Sequence, residues 1–549
     1  MKNKNILLAL SLLLFLTACQ AASGAPVIFP GRSATSTPFF PELDSEEAPT
    51  ATLESLTLSF WINPVLPTSL LNQLELPSDW EPVEGKDQAL FTIDLAEDIG
   101  QGQWVYALVA PFSTVLDEVA AEDLEAAWNG APNPNFDGAP LLLSEETLAL
   151  FSALWGQPAA GAVQVEAEDQ LLKFAWSHQP SWALIPFESL EPQWKVLSID
   201  GQSPVQKEFR ADLYALSVPI VASGDFDWPA LGNRDPAKMT TVVLTGVTAL
   251  VRATAYEMNR SGILYPAEDI GPLLASADIT HISNEVPFWS ECPSPDPVQR
   301  NLVFCSDPAY YALLEEVGTD IMELTGDHFN DYGQQATLYT LDLYDEHNLP
   351  YYGGGRNAED ARAPKTFEHN GNRIAFIGCN GKGGGYATAS ENSPGAVGCD
   401  YQYLAEEIGR LHDEGFLVIT TFQHDEVYTF IPQPGLVRDF TLVAEAGSSI
   451  VSGSQAHQSH GFEFTDADTL ITYGLGNLFF DQKGIIDYGD EALIARHVFY
   501  DGRYISTEIF TIFFVDFAKP RFMTALERAE FLSILFNASR FESLLSQGS

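Results

Sequence analysis

The sequence predicts an α/β protein of two domains, and three observations carry that prediction. At 549 residues the chain exceeds what one ordinary hydrophobic core supports. Its 46% hydrophobic and 12% aromatic content is that of a globular protein rather than a disordered one. Short apolar runs alternate with segments whose apolar residues recur at helical spacing, the signature of β and α elements taken in turn. The divisions read from these patterns are a leader over 1–19, a flexible linker over 20–52, α/β domains over 53–225 and 238–518, and a helical extension over 519–549.

The balance of 27 basic against 75 acidic residues gives a net charge of −48 and excludes nucleic acid as a partner, because phosphate binding needs concentrated Lys and Arg. The acidic excess is spread along the chain, as in a solvated surface or a face that attracts cations. At the N-terminus, Lys2 and Lys4 precede the apolar run Ile6–Leu16, too short for a usual membrane span and right for a signal-peptide core. The run ends in Leu16-Thr17-Ala18-Cys19, which resembles the bacterial lipobox. That resemblance implies cleavage before Cys19, lipidation of its thiol, and a protein held on the extracytoplasmic face of the cell membrane. Residues 20–52, rich in Ala, Ser, Thr and Pro, read as the tether.

In an exported chain the four further cysteines favour disulfides. Adjacency suggests Cys292 with Cys305 and Cys379 with Cys399, one of three connectivities, each closing a short loop that contributes about 3 kcal/mol. A zinc site is the alternative, although no C-x-x-C spacing supports it.

In the first domain, Trp104–Ala110 reads as a strand, Val119–Trp128 and Glu145–Trp155 as helices, and Trp182–Pro186 and Lys195–Ile199 as the returning sheet. Tryptophans 104, 128, 155, 176, 182 and 194 fit a core better than a binding box. The phrases Y-A-L-V-A-P-F, A-W-N-G, W-A-L-I-P-F-E and W-K-V-L-S-I-D-G, in this order, make the region similar to a lobe of a type 2 periplasmic substrate-binding protein. That likeness implies ligand or partner binding here.

In the second domain the predicted strands are Thr241–Leu244, Asp278–Ile282, Gly318–Leu324, Arg373–Gly378, Phe416–Phe422, Ser449–Ser452 and Leu470–Tyr473. Helical patterns cover Pro308–Val317, Gln334–Asn348, Tyr401–Glu414 and Leu436–Ala446, so a parallel or mixed sheet covered by helices is expected. Polar clusters follow the strand ends one after another. They are Thr245–Thr248 with Arg252, Ser283–Glu285, Gly326–His328 with Asp331, Gln423–Glu426 with Tyr428, Gly453–His457 and Gly474–Asn477. At carboxyl ends of strands they would meet in the crevice where open α/β sheets bind ligands. Carboxylate beside imidazole suits a divalent-metal or acid–base site, while a helix-capping role for the Asp is the plainer reading of that loop alone.

The order of these clusters resembles the CapA family of capsule and poly-γ-glutamate synthesis proteins, themselves similar to calcineurin-like metallophosphatases. An N-L-E-like element is matched by Asn284-Glu285-Val286, and L-A-N-N-H-x-x-D-x-G by Leu324–Gly333. G-G-G-x-N is matched at Gly353–Asn357 with Ala361-Arg362, G-x-H-x-H at Gly453–His457, and Y-S-L-G-N-F-x-F-D at Tyr473–Asp481. The resemblance implies metallophosphatase-like sheet layers for this domain. Three departures stand out: Val247 where the family's early Gly-Asp has its carboxylate, Asp327 for an Asn, and Gln455 for a His. An amide is a far weaker ligand than imidazole, so the dinuclear site is degraded and at most one Mn, Zn or Mg ion is expected.

On this reading Glu285, Asp327, His328 and His457 supply metal ligands. Glu285, Asp327, His328, Asp331, Glu426 and His457 supply acid–base groups for hydrolysis or transfer at an amide or phosphoryl group. Arg252, Asn284, Gln455 and Asn477 would contact an anionic polymer or phosphorylated substrate. Asn284, Glu285, Asp327, His328, Gln455 and His457 are expected in one pocket. Glu426 with Tyr428 suits a structural hydrogen bond equally well. The competing reading is a non-catalytic surface lipoprotein that binds a ligand or assembles with polymer-synthesis subunits.

Overall fold

Strand Gly102–Pro111 is the spine of the first half, an apolar run buried on both faces rather than an alternating one. It belongs to a ten-stranded mixed sheet in which Ser217–Ser223 and Ala183–Pro186 flank it antiparallel and Trp194–Ile199 pairs with its end. Helix Glu145–Trp155 begins where the Ser144 hydroxyl accepts from the Thr147 amide, and stops at Gly156 with φ 82°. Trp104, Trp128, Trp176, Trp182 and Trp194 are all fully buried, as a core requires. The computed structural model describes residues 58–541 except 98, 99, 384, 386, 466 and 467, together with residue 544; the leader, Cys19 and the linker lie outside them.

The second half is layered helix–sheet–sheet–helix. A nine-stranded mixed sheet runs Tyr351–Tyr352, Ile321–Glu323, Ile279–Asn284, Met239–Thr245, then the antiparallel strands Glu491–Tyr500, Arg503–Phe514 and Pro520–Phe522. A six-stranded sheet is built on the parallel strands Asn372–Asn380, Leu417–Gln423, Ser448–Ser452 and Leu470–Thr472. Between the sheets, Leu244, Ile279 and Ile321 meet Phe376, Ile419 and Ile450 in one apolar layer. Helices Arg252–Ser261, Tyr311–Glu316 and Gly333–Glu346 cover the outer face of the larger sheet, while Tyr401–Asp413 and Pro434–Glu445 cover the smaller.

The two halves share their cores within one compact unit. Val498, Tyr500 and Ile505 of the long hairpin complete the first core. Phe112 and Trp176 of the first half pack with Phe531, Leu532 and Leu535 of helix Ala525–Asn537. That helix opens with a reciprocal cap between Thr524 and Glu527. The disulfides are Cys292–Cys305 and Cys379–Cys399, so adjacency chose the right connectivity and these thiols are not zinc ligands. Among the described residues no helix is long and apolar enough to cross a membrane.

Candidate active site

The parallel strands of both sheets deliver their carboxyl ends to one edge, and the loops that follow them line a cleft of 620 Å³. Glu285 follows strand Ile279–Asn284, and its amide donates to the Thr248 carbonyl at 2.9 Å. The loop after Ile321–Glu323 brings Asp327 and His328. Gly326 is required there, since a Cβ would lie 2.6 Å from the Glu285 carbonyl oxygen. Glu285, Asp327 and His328 each present one ligand atom within 4.8 Å of the others. His457 joins them from the loop after Ser448–Ser452, with Nε2 4.0 Å from Glu285 Oε1.

Both histidines are oriented from behind. His328 Nδ1 lies 2.7 Å from Asp331 Oδ2, so Nε2 is left for the cleft. Asn477 Oδ1 lies 2.9 Å from His457 Nδ1, and its Nδ2 donates to the His457 carbonyl at 3.1 Å. An amide oxygen only accepts, so Nδ1 carries a hydrogen and Nε2 faces Glu285. Asp331 and Asn477 are thus supports behind the reacting wall rather than parts of it.

The four acids and bases of the cleft are driven apart electrostatically. Burial pushes the Glu285 carboxyl above the usual carboxylate range, outweighing His457 and His328. Burial pushes Asp327 the same way, but the Lys382 ammonium, His328 and Gln423 together hold it below that range. Burial opposes charging of His328, yet Asp331, Glu285 and Asp327 raise it to about 9. Glu426 is held low by His457, Lys382 and Tyr428 against its burial. Two carboxyls with opposed shifts, side by side, can divide proton donation and acceptance between them.

Two of the six residues expected in the pocket are not there. Asn284 is buried and donates to the Val286 carbonyl at 2.8 Å and the Tyr344 hydroxyl at 2.9 Å. Side chains alternate along a strand, so Glu285 faces the cleft and Asn284 cannot. Gln455 is buried and turned to the Ser283 hydroxyl at 2.6 Å, which keeps it off the cleft wall. Arg252 does line the cleft, but it is ion-paired to Asp481 at 2.8 Å, and its guanidinium lies over Phe304 and Phe480. Its φ of 45° is a left-handed conformation rare for a side-chain-bearing residue, often retained at functional sites. Val247 is buried with Phe304, Phe480 and Val286 in an apolar cluster and offers no ligand atom to the cleft.

Lys382 was not singled out by the sequence reading, and Gln423 received no role there. Gln423 Nε2 donates to Asp327 Oδ1 at 2.9 Å, and Lys382 Nζ pairs with Asp327 Oδ2 at 2.7 Å and with Glu426. The Tyr428 hydroxyl donates to Glu426 at 2.8 Å. Each follows a predicted strand, which was the available signal. Below the cleft a second acid–imidazole pair is sealed. The Glu323 carboxylate accepts from Thr325 at 2.7 Å and from Ser454, and lies 3.3 Å from His281 Nε2, with Glu323 and His281 wholly buried. Despite the burial, these partners hold Glu323 below the usual range.

The donor set fits one divalent ion held by Glu285, Asp327 and His328, with His457 beside it; Val247 and Gln455 add no ligand for a second. Residues 241–482 match the family described as bacterial capsule synthesis protein PGA_cap. The chain is 26% identical to the capsule biosynthesis protein CapA of Bacillus anthracis over 48% of its own length and 65% of that protein. It is 26% identical to the PGA biosynthesis protein CapA of Bacillus subtilis over 34% of its length and 49% of the relative. The match thus spans less than two thirds of either relative. Among solved structures, a 5'-nucleotidase precursor from Thermus thermophilus aligns at 12% identity over 54% of this chain and 58% of that one, with a TM-score of 0.32, too low to carry a fold argument.

Proposed function

We propose, from the match of residues 241–482 to the family described as bacterial capsule synthesis protein PGA_cap, that the protein acts in the synthesis or processing of a capsule or poly-γ-glutamate type polymer. On this proposal Cys19 carries the lipid, the protein works on the extracytoplasmic face of the cell membrane with polymer-synthesis subunits, and residues 53–225 take a ligand as a substrate-binding lobe does. The cleft is a single-ion hydrolase or transferase site for an amide or phosphoryl group of an anionic substrate. The observation behind this reading is the approach of Glu285, Asp327 and His328 within 4.8 Å in a cleft that also holds Arg252.

A divalent ion there would supply a water nucleophile at neutral pH. With Glu285 engaged as a ligand of that ion, His457 Nε2, 4.0 Å from Glu285 Oε1, is the group placed to move a proton to or from the leaving group. Arg252 lines the wall, but its guanidinium is paired with Asp481, so it would meet an anionic substrate only with that pair loosened. The test is metal analysis of the purified protein, together with hydrolysis of γ-glutamyl and phosphoester substrates by wild type and Glu285→Gln. One ion per chain and a hundredfold or greater loss of turnover in the variant are expected. An ion-free, inactive wild type would favour the ligand-binding lipoprotein instead, a reading that the burial of Val247 also supports. For the anchor, Cys19→Ser should shift the protein out of the membrane fraction or leave it unprocessed. Equal membrane retention without lipid mass on the wild type would refute the anchor.

A further inference from the structure

We infer that Lys382 is the resident counter-ion of the cleft: its ammonium holds the Asp327–Glu426 position that a second divalent ion would take, and limits the cleft to one. The inference rests on the single-ion reading of Glu285, Asp327 and His328. Asp327 and Glu426 arrive on loops from different sheets, and both aim at one nitrogen, at 2.7 Å for Asp327 Oδ2. Two carboxylates converging from separate elements would repel each other without a cation between them. Asp327 also has its other oxygen on Gln423 at 2.9 Å, so any ion at the neighbouring cluster meets a carboxylate whose charge is already partly neutralised.

The ammonium is placed rather than incidental. Asn380 Oδ1 accepts from the Lys382 amide at 3.0 Å, and Asn380 Nδ2 donates to the Thr325 carbonyl at 2.8 Å and to Gln423 Oε1 at 2.7 Å. One amide side chain therefore ties the lysine's backbone to the loop of Asp327 and to the strand before Glu426. The Cys379–Cys399 disulfide closes the same loop at its base. Only 31% of the Lys382 side chain is exposed. A unit charge so close to a divalent ion, under partial desolvation, opposes its binding strongly.

The test is calorimetric titration of Mn2+ into metal-stripped wild type, Lys382→Met, Lys382→Gln and Lys382→Arg. Wild type and Lys382→Arg should take at most one ion. Each neutral variant should take a second, or bind the first at least tenfold tighter. Unchanged stoichiometry and affinity in a folded neutral variant, or two ions in wild type, would overturn the inference while leaving a metal-dependent site standing. If wild type takes no ion but the neutral variants do, the inference holds and the single-ion reading of the wild-type site fails. If none of the four proteins takes an ion, both fail.

Discussion

The open cluster at Asp327–His328 and the sealed pair Glu323–His281 each set a carboxylate beside an imidazole on neighbouring strands and the loops after them, yet they do different work. In the cleft each imidazole is held by one nitrogen only, His328 by Asp331 and His457 by Asn477, and the other nitrogen is left for chemistry. Beneath it, His281 Nε2 meets both Glu323 and the Tyr352 hydroxyl, the latter at 2.9 Å, and its Nδ1 is shut away from solvent without a partner among the described residues, while Glu323 is filled by hydroxyls from two loops. Thr325 leads into Asp327, and Ser454 leads into His457. The sealed carboxylate is therefore a tie that sets the spacing of the open one. A carboxylate beside a histidine becomes a site only where the free nitrogen opens on a cleft, as at His328 and His457, and not where it is sealed, as at His281.

The comparison breaks most decisively at Glu323. Glu323→Ala leaves a buried imidazole and two hydroxyls without their acceptor and should destabilise the fold by about 3–5 kcal/mol, read as a lowered denaturant midpoint at unchanged slope. A variant within about 1 kcal/mol of wild type would remove the claim that it is a tie.

A smaller effect per residue comes from two other sealed imidazoles, whose protonation the fold refuses. Burial lowers His460 to about 4 and His497 to about 3. The unfolded chain takes up these protons near pH 6.5 and the folded one does not, so stability is full above that pH and falls as pH drops. Below it each histidine should cost about 1.4 kcal/mol per pH unit, down to its folded value. Chemical denaturation between pH 7.5 and 5 checks this, and His497→Phe should flatten the slope. An unchanged slope would mean that His497 titrates freely.

The smallest change in stability, and the sharpest in function, is expected at His328. His328→Ala should cost only about 1–2 kcal/mol, because Asp331 still accepts from the Phe304 amide at 2.7 Å. It should nevertheless abolish ion uptake and hydrolysis together. Loss of one without the other would separate the ligand role from the acid–base role.

Much of this architecture is legible before any coordinates, because the second half alternates strongly between apolar runs and helical periods. The predicted helix Tyr401–Glu414 is found as Tyr401–Asp413, and strand Ser449–Ser452 as Ser448–Ser452. The hairpin Glu491–Tyr500 with Arg503–Phe514 escaped notice, since its strands are mostly buried on both faces and do not alternate. Its Asp501-Gly502 turn, with φ of 51° and 76°, was the readable sign. In the site, residues just past strand ends were found because position alone places them at the cleft. Asn284 and Gln455 were misassigned because side-chain direction decides which face a residue serves. Lys382 escaped because its meaning lies in Glu426, distant in sequence, and no local pattern encodes a long-range ion pair.

The shared cores set an order of events for a chain that emerges amino end first. The first half has all its own strands by Ser223, but its core still lacks Val498, Tyr500 and Ile505, and Phe112 and Trp176 still lack the helix Ala525–Asn537. Until those segments appear, a broad apolar surface waits in the open, and the contacts that cover it span most of the sequence. Such long-range closure is slow, and the waiting surface is prone to self-association. A chain stopped at residue 238 should therefore unfold without cooperativity and be cut rapidly by protease. The last segments to be made act as the clasp for the first.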